Sequence, residues 1–219
     1  EVDQSSIGTN WGAGDIMYAD LDGDGKISNG TNKLGDTGDY RIIGNSTPRF
    51  KYGITLDAAW KGFDFSIFMQ GIGKRDLWLD GCYFWGANGQ GNEWQSTGFA
   101  EHWDFFRPEG DPLGANLNSY YPRVNFSGGR NTQTQTRYLQ NGAYLRLKNV
   151  QLGYTLPRVW TEKAGISSVR VYVSGDNLAT ITSLSKIFDP EATGSLAGTG
   201  SGKLYPLQRV ISVGVNVNF

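Results

Sequence analysis

Segments in which apolar and polar residues alternate with a period of two dominate the chain. From Phe50 to Trp60, one face collects Phe50, Tyr52, Ile54, Leu56, Ala58 and Trp60, and the other Lys51, Gly53, Thr55, Asp57 and Ala59. After the link Lys61-Gly62, the residues Phe63, Phe65, Ile67 and Met69 resume the apolar face opposite Asp64, Ser66 and Gln70. Successive side chains of a strand point to opposite faces, so these two runs with their short glycine-containing link predict a β-hairpin. Residues 144–156 repeat the pattern, with Val150, Leu152, Tyr154 and Leu156 opposed to Asn149, Gln151, Gly153 and Thr155. Residues 169–178 set Val169, Val171 and Val173 against Arg170, Tyr172 and Ser174. The run 205–219 sets Tyr205, Leu207, Ile211, Val213, Val215, Val217 and Phe219 against Gln208, Ser212, Gly214, Asn216 and Asn218. These runs are longer than the ~5–6 residues of ordinary globular strands.

The connections alternate in length: 61–62 is short, 72–143 very long, 157–168 moderate and 179–204 long. Long one-faced strands, many ending in aromatics, with connections of alternating length predict a transmembrane antiparallel β-barrel. Lipid offers the backbone no hydrogen-bond partner, so spanning strands must pair fully and close. On this reading the chain is all-β, with residues 1–49 an extracellular loop and 50–219 barrel strands interrupted by extracellular loops 72–143 and 179–204. The links 61–62 and 157–168, and Phe219, fall on the periplasmic side. About five strands cannot close a barrel whose smallest version has about eight, so the expectation is a segment of a larger one. The final apolar positions Val213, Val215, Val217 and Phe219 look like the signal that barrel-assembly machinery reads. A large soluble jelly roll is the alternative on pattern alone.

Composition narrows the class further. The 219 residues include 31 Gly, seven Trp, eleven Tyr and eleven Phe, with only 19% charged. A coiled coil or helical bundle would be rich in Ala, Glu, Lys and Leu, and a disordered chain poor in aromatics. A net charge of −1 carries no electrostatic footprint for nucleic acid. The lone Cys82 excludes an internal disulfide and a cysteine-based zinc cluster, and the lone His102 a multi-histidine metal site. No apolar run is long enough for a transmembrane helix. The chain opens at Glu1 without Met or a signal-like stretch, so it reads as a mature or truncated piece.

Two regions carry candidate chemistry. Asp20-Leu21-Asp22-Gly23-Asp24-Gly25-Lys26-Ile27 matches the first eight positions of an EF-hand-type loop. Carboxylates at positions 1, 3 and 5 surround a cation, glycine at 6 allows the sharp turn, and position 7 offers its carbonyl. Position 12 is Thr31 rather than a bidentate Glu, which leaves a ligand to be supplied by Asp36 or Asp39. The expected set for a structural Ca2+ is Asp20, Asp22, Asp24, Lys26 and Asp36, with an ion-free acidic turn as the alternative. The 72–143 loop is rich in aromatics, among them Trp78, Tyr83, Phe84, Trp85, Trp94, Trp103 and Tyr121. Flat rings beside polar groups suit sugars, and also suit a partner protein or the loop's own packing. Trp85, Trp94 and Trp103 are the candidates for a substrate or partner surface. Glu101, His102 and Asp104 lack a nucleophile pattern nearby and read as loop hydrogen bonding.

Several stretches, in order along the chain, resemble the SusC/RagA-like TonB-linked outer-membrane transporters of Bacteroidota. They are 14–27 (GDIMYADLDGDGKI), 43–49 (IGNSTPR), Tyr52-Gly53, 61–71 (KGFDFSIFMQG), 144–154 (YLRLKNVQLGY), 171–178 (VYVSGDNL) and 215–219 (VNVNF). The resemblance implies the C-terminal part of a 22-stranded barrel whose plug and TonB-contacting region lie in sequence not present here. It implies no enzyme activity. It implies uptake of oligosaccharides or peptides across the outer membrane, together with a SusD-like surface lipoprotein and the TonB complex. Asp57, Ser66 and Gln70 would then face the lumen or the plug. A passive porin-like barrel and a soluble calcium-stabilised carbohydrate-binding module are the competing functions.

Overall fold

In the computed structural model the described residues are 2–91, 96–127, 129–193, 199–200 and 204–219. Eight strands occur among them: β1 Arg49–Trp60, β2 Phe63–Lys74, β3 Asp76–Leu79, β4 Gln140–Asn141, β5 Tyr144–Thr155, β6 Ser168–Thr182, β7 Thr199–Gly200 and β8 Val210–Asn218. The chain divides into two compact units. One comprises Ser46–Leu77, Gln140–Ala192 and Leu204–Phe219, and the other Glu1–Asn45, Trp78–Leu139 and Thr193–Lys203.

The first unit is built on a five-stranded antiparallel sheet in the order β1-β2-β5-β6-β8. Its strands lie on the five alternating segments, although β8 starts at Val210 rather than 205 and β6 runs on to Thr182. The β1–β2 link places Lys61 at φ 47° and Gly62 at φ 90°. Two consecutive positive φ values are those of a type I′ turn, whose twist matches that of the strands it joins. The sheet is open, with β1 and β8 at its edges. No helix among the described residues is long and apolar enough to cross a membrane.

The alternation is interrupted once. On β5 the ladder passes from Leu147 to Asn149 against both neighbours, leaving Lys148 as an extra residue, and β6 compensates between Asp176 and Ala179. Such a bulge resets which side of the sheet each residue faces. Leu147 and Val150 therefore share a face although they are three positions apart.

The second unit is mostly loop and has a conventional interior. Tyr138, Phe84, Leu79 and Trp85 are almost completely buried there. Their rings meet edge to face, with Trp85 to Tyr138 at 4.9 Å and Phe84 to Trp85 at 5.2 Å between centroids, a geometry the ring quadrupoles favour. The polar handles are satisfied: the Trp85 indole N–H donates to the Leu79 carbonyl at 3.0 Å and the Tyr138 hydroxyl to that of Tyr120 at 2.6 Å.

Candidate functional sites

The register of the sheet brings the alternating residues into continuous rows. Trp60, Phe63, Tyr154, Val171 and Val215 form one, and Ala58, Phe65, Leu152, Val173 and Val213 the next. Leu56, Ile67, Val150, Gly175 and Ile211 form a third on the same face. This face is apolar across all five strands and is uncovered, with Leu56 55%, Ile211 70% and Val213 81% exposed. Apolar area of this extent on a protein surface marks contact with another apolar phase or partner.

The opposite face carries the matching polar rows, such as Asp57, Ser66, Gln151, Ser174 and Ser212. Asp64 on β2 and Arg170 on β6 form a two-pronged ion pair across the intervening β5. The pair crosses at Gly153, where a Cβ would run into both side chains. Nearby, the Asn149 amide donates to Asp176 at 2.8 Å. A shallow hollow of about 450 Å³ opens near Pro48, Lys51, Phe68, Gln70 and Tyr144.

Farther along the polar face, Arg146 fastens the segment after β6 to the sheet. Its guanidinium meets Asp189 at 2.7 Å, Glu191 at 3.4 Å and the Thr180 hydroxyl at 2.8 Å, and Lys148 reaches Glu191 at 3.0 Å. Burial opposes the charge on Asp189. The Arg146 guanidinium and the backbone N–H groups of Glu191 and Leu207 outweigh that and hold its carboxyl below the usual range. The sequence reading did not identify this cluster, because nothing local links Arg146 to residues some forty positions away.

In the loop unit, carboxylate oxygens of Asp20, Asp22 and Asp39 lie within 4.8 Å of one another. Asp20 accepts hydrogen bonds from the N–H groups of Gly23 and Gly25, and Asp39 from those of Leu21 and Ser28. The N–H groups of Ser28 and Leu21 hold the Asp39 carboxyl below its ordinary value. Asp22 accepts from the Asp24 N–H, yet partial desolvation and the charges of Asp24, Asp39 and Asp20 push its carboxyl up. Asp24 instead faces Lys26, accepting from its N–H at 3.0 Å and standing 3.7 Å from its ammonium. Asp36 is engaged by the hydroxyl and N–H of Thr31, so Asp39 rather than Asp36 completes the group. This arrangement presents hard oxygen donors suited to a divalent cation.

The three tryptophans of the 72–143 loop fare differently. Trp85 lies in the aromatic interior, 2% exposed, where it packs the loop itself. Trp103 is 60% exposed, with the Arg107 guanidinium 5.5 Å from its ring. Trp94 lies outside the described residues. His102 links two loop segments, accepting from the Phe99 N–H at Nδ1 and facing the Phe84 carbonyl at 3.1 Å through Nε2. Of the terminal candidates, Val213, Val215 and Val217 lie in the apolar rows of β8 and Phe219 just follows that strand.

A second polar centre escaped the sequence reading. The Asp15 side chain is 2% exposed and is held by Arg123 at 2.6 Å and by the Asn131 amide at 2.9 Å. Burial alone would raise its pKa, but Arg123, Asn131 and the Gly12 N–H prevail and lower it.

No family model matches the chain. The sequence is 33% identical over 216 residues to TonB-dependent receptor P3 of Formosa agariphila, a match covering 94% of this chain and 19% of that protein. It is 29% identical to TonB-dependent receptor P26 of the same organism over the whole chain and 21% of that protein. The fold resembles the RagAB peptide importer in its open-open state, with a TM-score of 0.62 and 28% identity over 82% of this chain and 18% of that one. The closed-closed state gives a TM-score of 0.63. The chain thus spans about a fifth of the length of the curated relatives it matches.

Proposed function

We propose that this chain, a segment of a TonB-dependent transporter, forms part of the barrel wall through which the whole protein imports its substrate across the outer membrane. The observation that carries this reading is the five-strand apolar belt backed by a polar face. A wall that touches lipid on one side and a solvated lumen on the other needs that pattern. The relatives are receptors and an importer, and the chain is transport machinery rather than an enzyme. The full wall has 22 strands, and the cargo is an oligosaccharide or a peptide. A SusD-like surface lipoprotein caps the barrel, and TonB engages a region outside this sequence. Likeness to a peptide importer supports peptides, and exposed Trp103 supports a ring-stacking ligand or the lipoprotein as its contact.

The loop at Asp20, Asp22 and Asp39 holds a structural Ca2+ on this reading. Three converging carboxylates, one with its pKa raised by partial desolvation and by the other charges, support it. The cation would relieve that repulsion and fix the loop, and it takes no part in transport chemistry.

Uptake by cells carrying the full-length transporter tests the function. Labelled peptides or oligosaccharides should enter only with both this protein and an energised TonB system. Uptake of both classes that persists when TonB is removed would overturn import and favour a passive pore.

A further inference from the structure

The turn end of the sheet carries a composition that the lumen and the apolar belt do not account for. The last apolar row ends in three aromatics, Trp60, Phe63 and Tyr154, with Phe63 and Tyr154 rings 4.5 Å apart. Immediately beyond Trp60 stands Lys61, its ammonium 4.9 Å from the indole centroid. The neighbouring β5–β6 connection contains a short helix, α1, Arg158–Thr161. Its Val159 and Trp160 are 71% and 64% exposed. Arg158 is paired with Glu162 at 2.6 Å, whereas Lys61 and Lys163 have no carboxylate partner among the described residues.

We infer that this end, at Lys61, Trp160 and Lys163, binds anionic phospholipid headgroups of the membrane leaflet it faces. The inference rests on the barrel reading above and names the lipid class at one rim. Along the strand direction the surface runs from aliphatic rows to aromatics to unpaired ammonium groups. A bilayer runs in the same order, from hydrocarbon through the ester region to phosphate. An indole keeps its apolar body at that boundary while its N–H meets polar groups, and an ammonium neighbour adds attraction for phosphate. A turn surrounded only by water gains nothing from an adjacent Val and Trp left this exposed. The surplus of two cations fits an anionic headgroup better than a zwitterionic one.

The test uses the full-length transporter in nanodiscs of phosphatidylethanolamine with or without phosphatidylglycerol, checked for folding by heat-modifiable gel mobility. The emission lost in Trp160→Phe should be quenched in the parent protein by lipids brominated near the headgroup. After release into detergent, native mass spectrometry should show preferential retention of phosphatidylglycerol. That preference should fall by about fivefold per lysine in Lys61→Gln and Lys163→Gln. Quenching of Trp160 by aqueous acrylamide but not by brominated lipid would overturn the inference, as would unchanged retention in the lysine variants. A protein that fails to enter nanodiscs at all would instead overturn the barrel reading on which it stands.

Discussion

Val213 in β8 and Phe84 in the loop unit are both apolar, yet one is 81% exposed and the other 1%. The sheet holds its apolar residues on the outside and its ion pairs, such as Asp64–Arg170, on the opposite face. The loop unit does the reverse, with Tyr138, Phe84 and Trp85 within. On the proposed barrel reading, the difference teaches that the same side chains serve two solvents. Loops bathed in water stabilise themselves by removing rings from it. The sheet, on that same reading, is stabilised by its interstrand hydrogen-bond ladder, and its apolar groups only have to suit the surrounding phase.

Four substitutions in the full-length protein separate the two regimes. Phe84→Ala leaves a cavity in the loop interior and should cost about 3–5 kcal/mol locally, read as faster proteolysis of the 72–143 segment. Val213→Lys should cost about 2–4 kcal/mol in a bilayer and almost nothing in an aqueous setting, read by unfolding from lipid vesicles. A null effect in vesicles would mean that this face does not meet lipid.

Acid should act on the loop unit through Asp15. Its folded pKa lies below the ordinary 3.8, so its contribution is complete above that pH and is lost as the pH falls through the depressed value. Protease resistance of the loop should therefore hold to about pH 4 and decline below it. Asp15→Asn should be weaker throughout and show a shallower decline, what remains coming from Asp39 and its N–H donors. The smallest effect is expected at Trp103→Ala, within about 0.5 kcal/mol of the parent in stability, because that ring is already exposed. Loosening on the scale of Phe84→Ala would place Trp103 in the interior instead.

The strands were legible because a period of two is written locally: Phe63, Phe65 and Ile67 announce their face without reference to any other segment. What was not legible depends on partners distant in sequence. Asp15 meets Arg123 and Asn131 more than a hundred positions away, and Tyr138 becomes the hub of an aromatic interior assembled from several loops. The acidic loop lies between these cases. Its spacing identified Asp20 and Asp22, while the choice of Asp39 over Asp36 followed from which N–H groups each carboxylate meets. The short β3, β4 and β7 carry too few residues for any period to appear.

The extra residue at Lys148 acts on the wall as an insertion acts on a reading frame. Before it, Tyr144 and Arg146 face inward and Leu145 and Leu147 outward; after it, the inward set is Asn149, Gln151 and Gly153. Taking Lys148 into the regular ladder, with the bulge lost and no residue removed, would transpose the first half of β5. Arg146 would then move to the apolar face, which is the lipid side on the proposed barrel reading, and Asp189 would lose its guanidinium. The chain thus depends on one apparent irregularity to keep its two sides in phase.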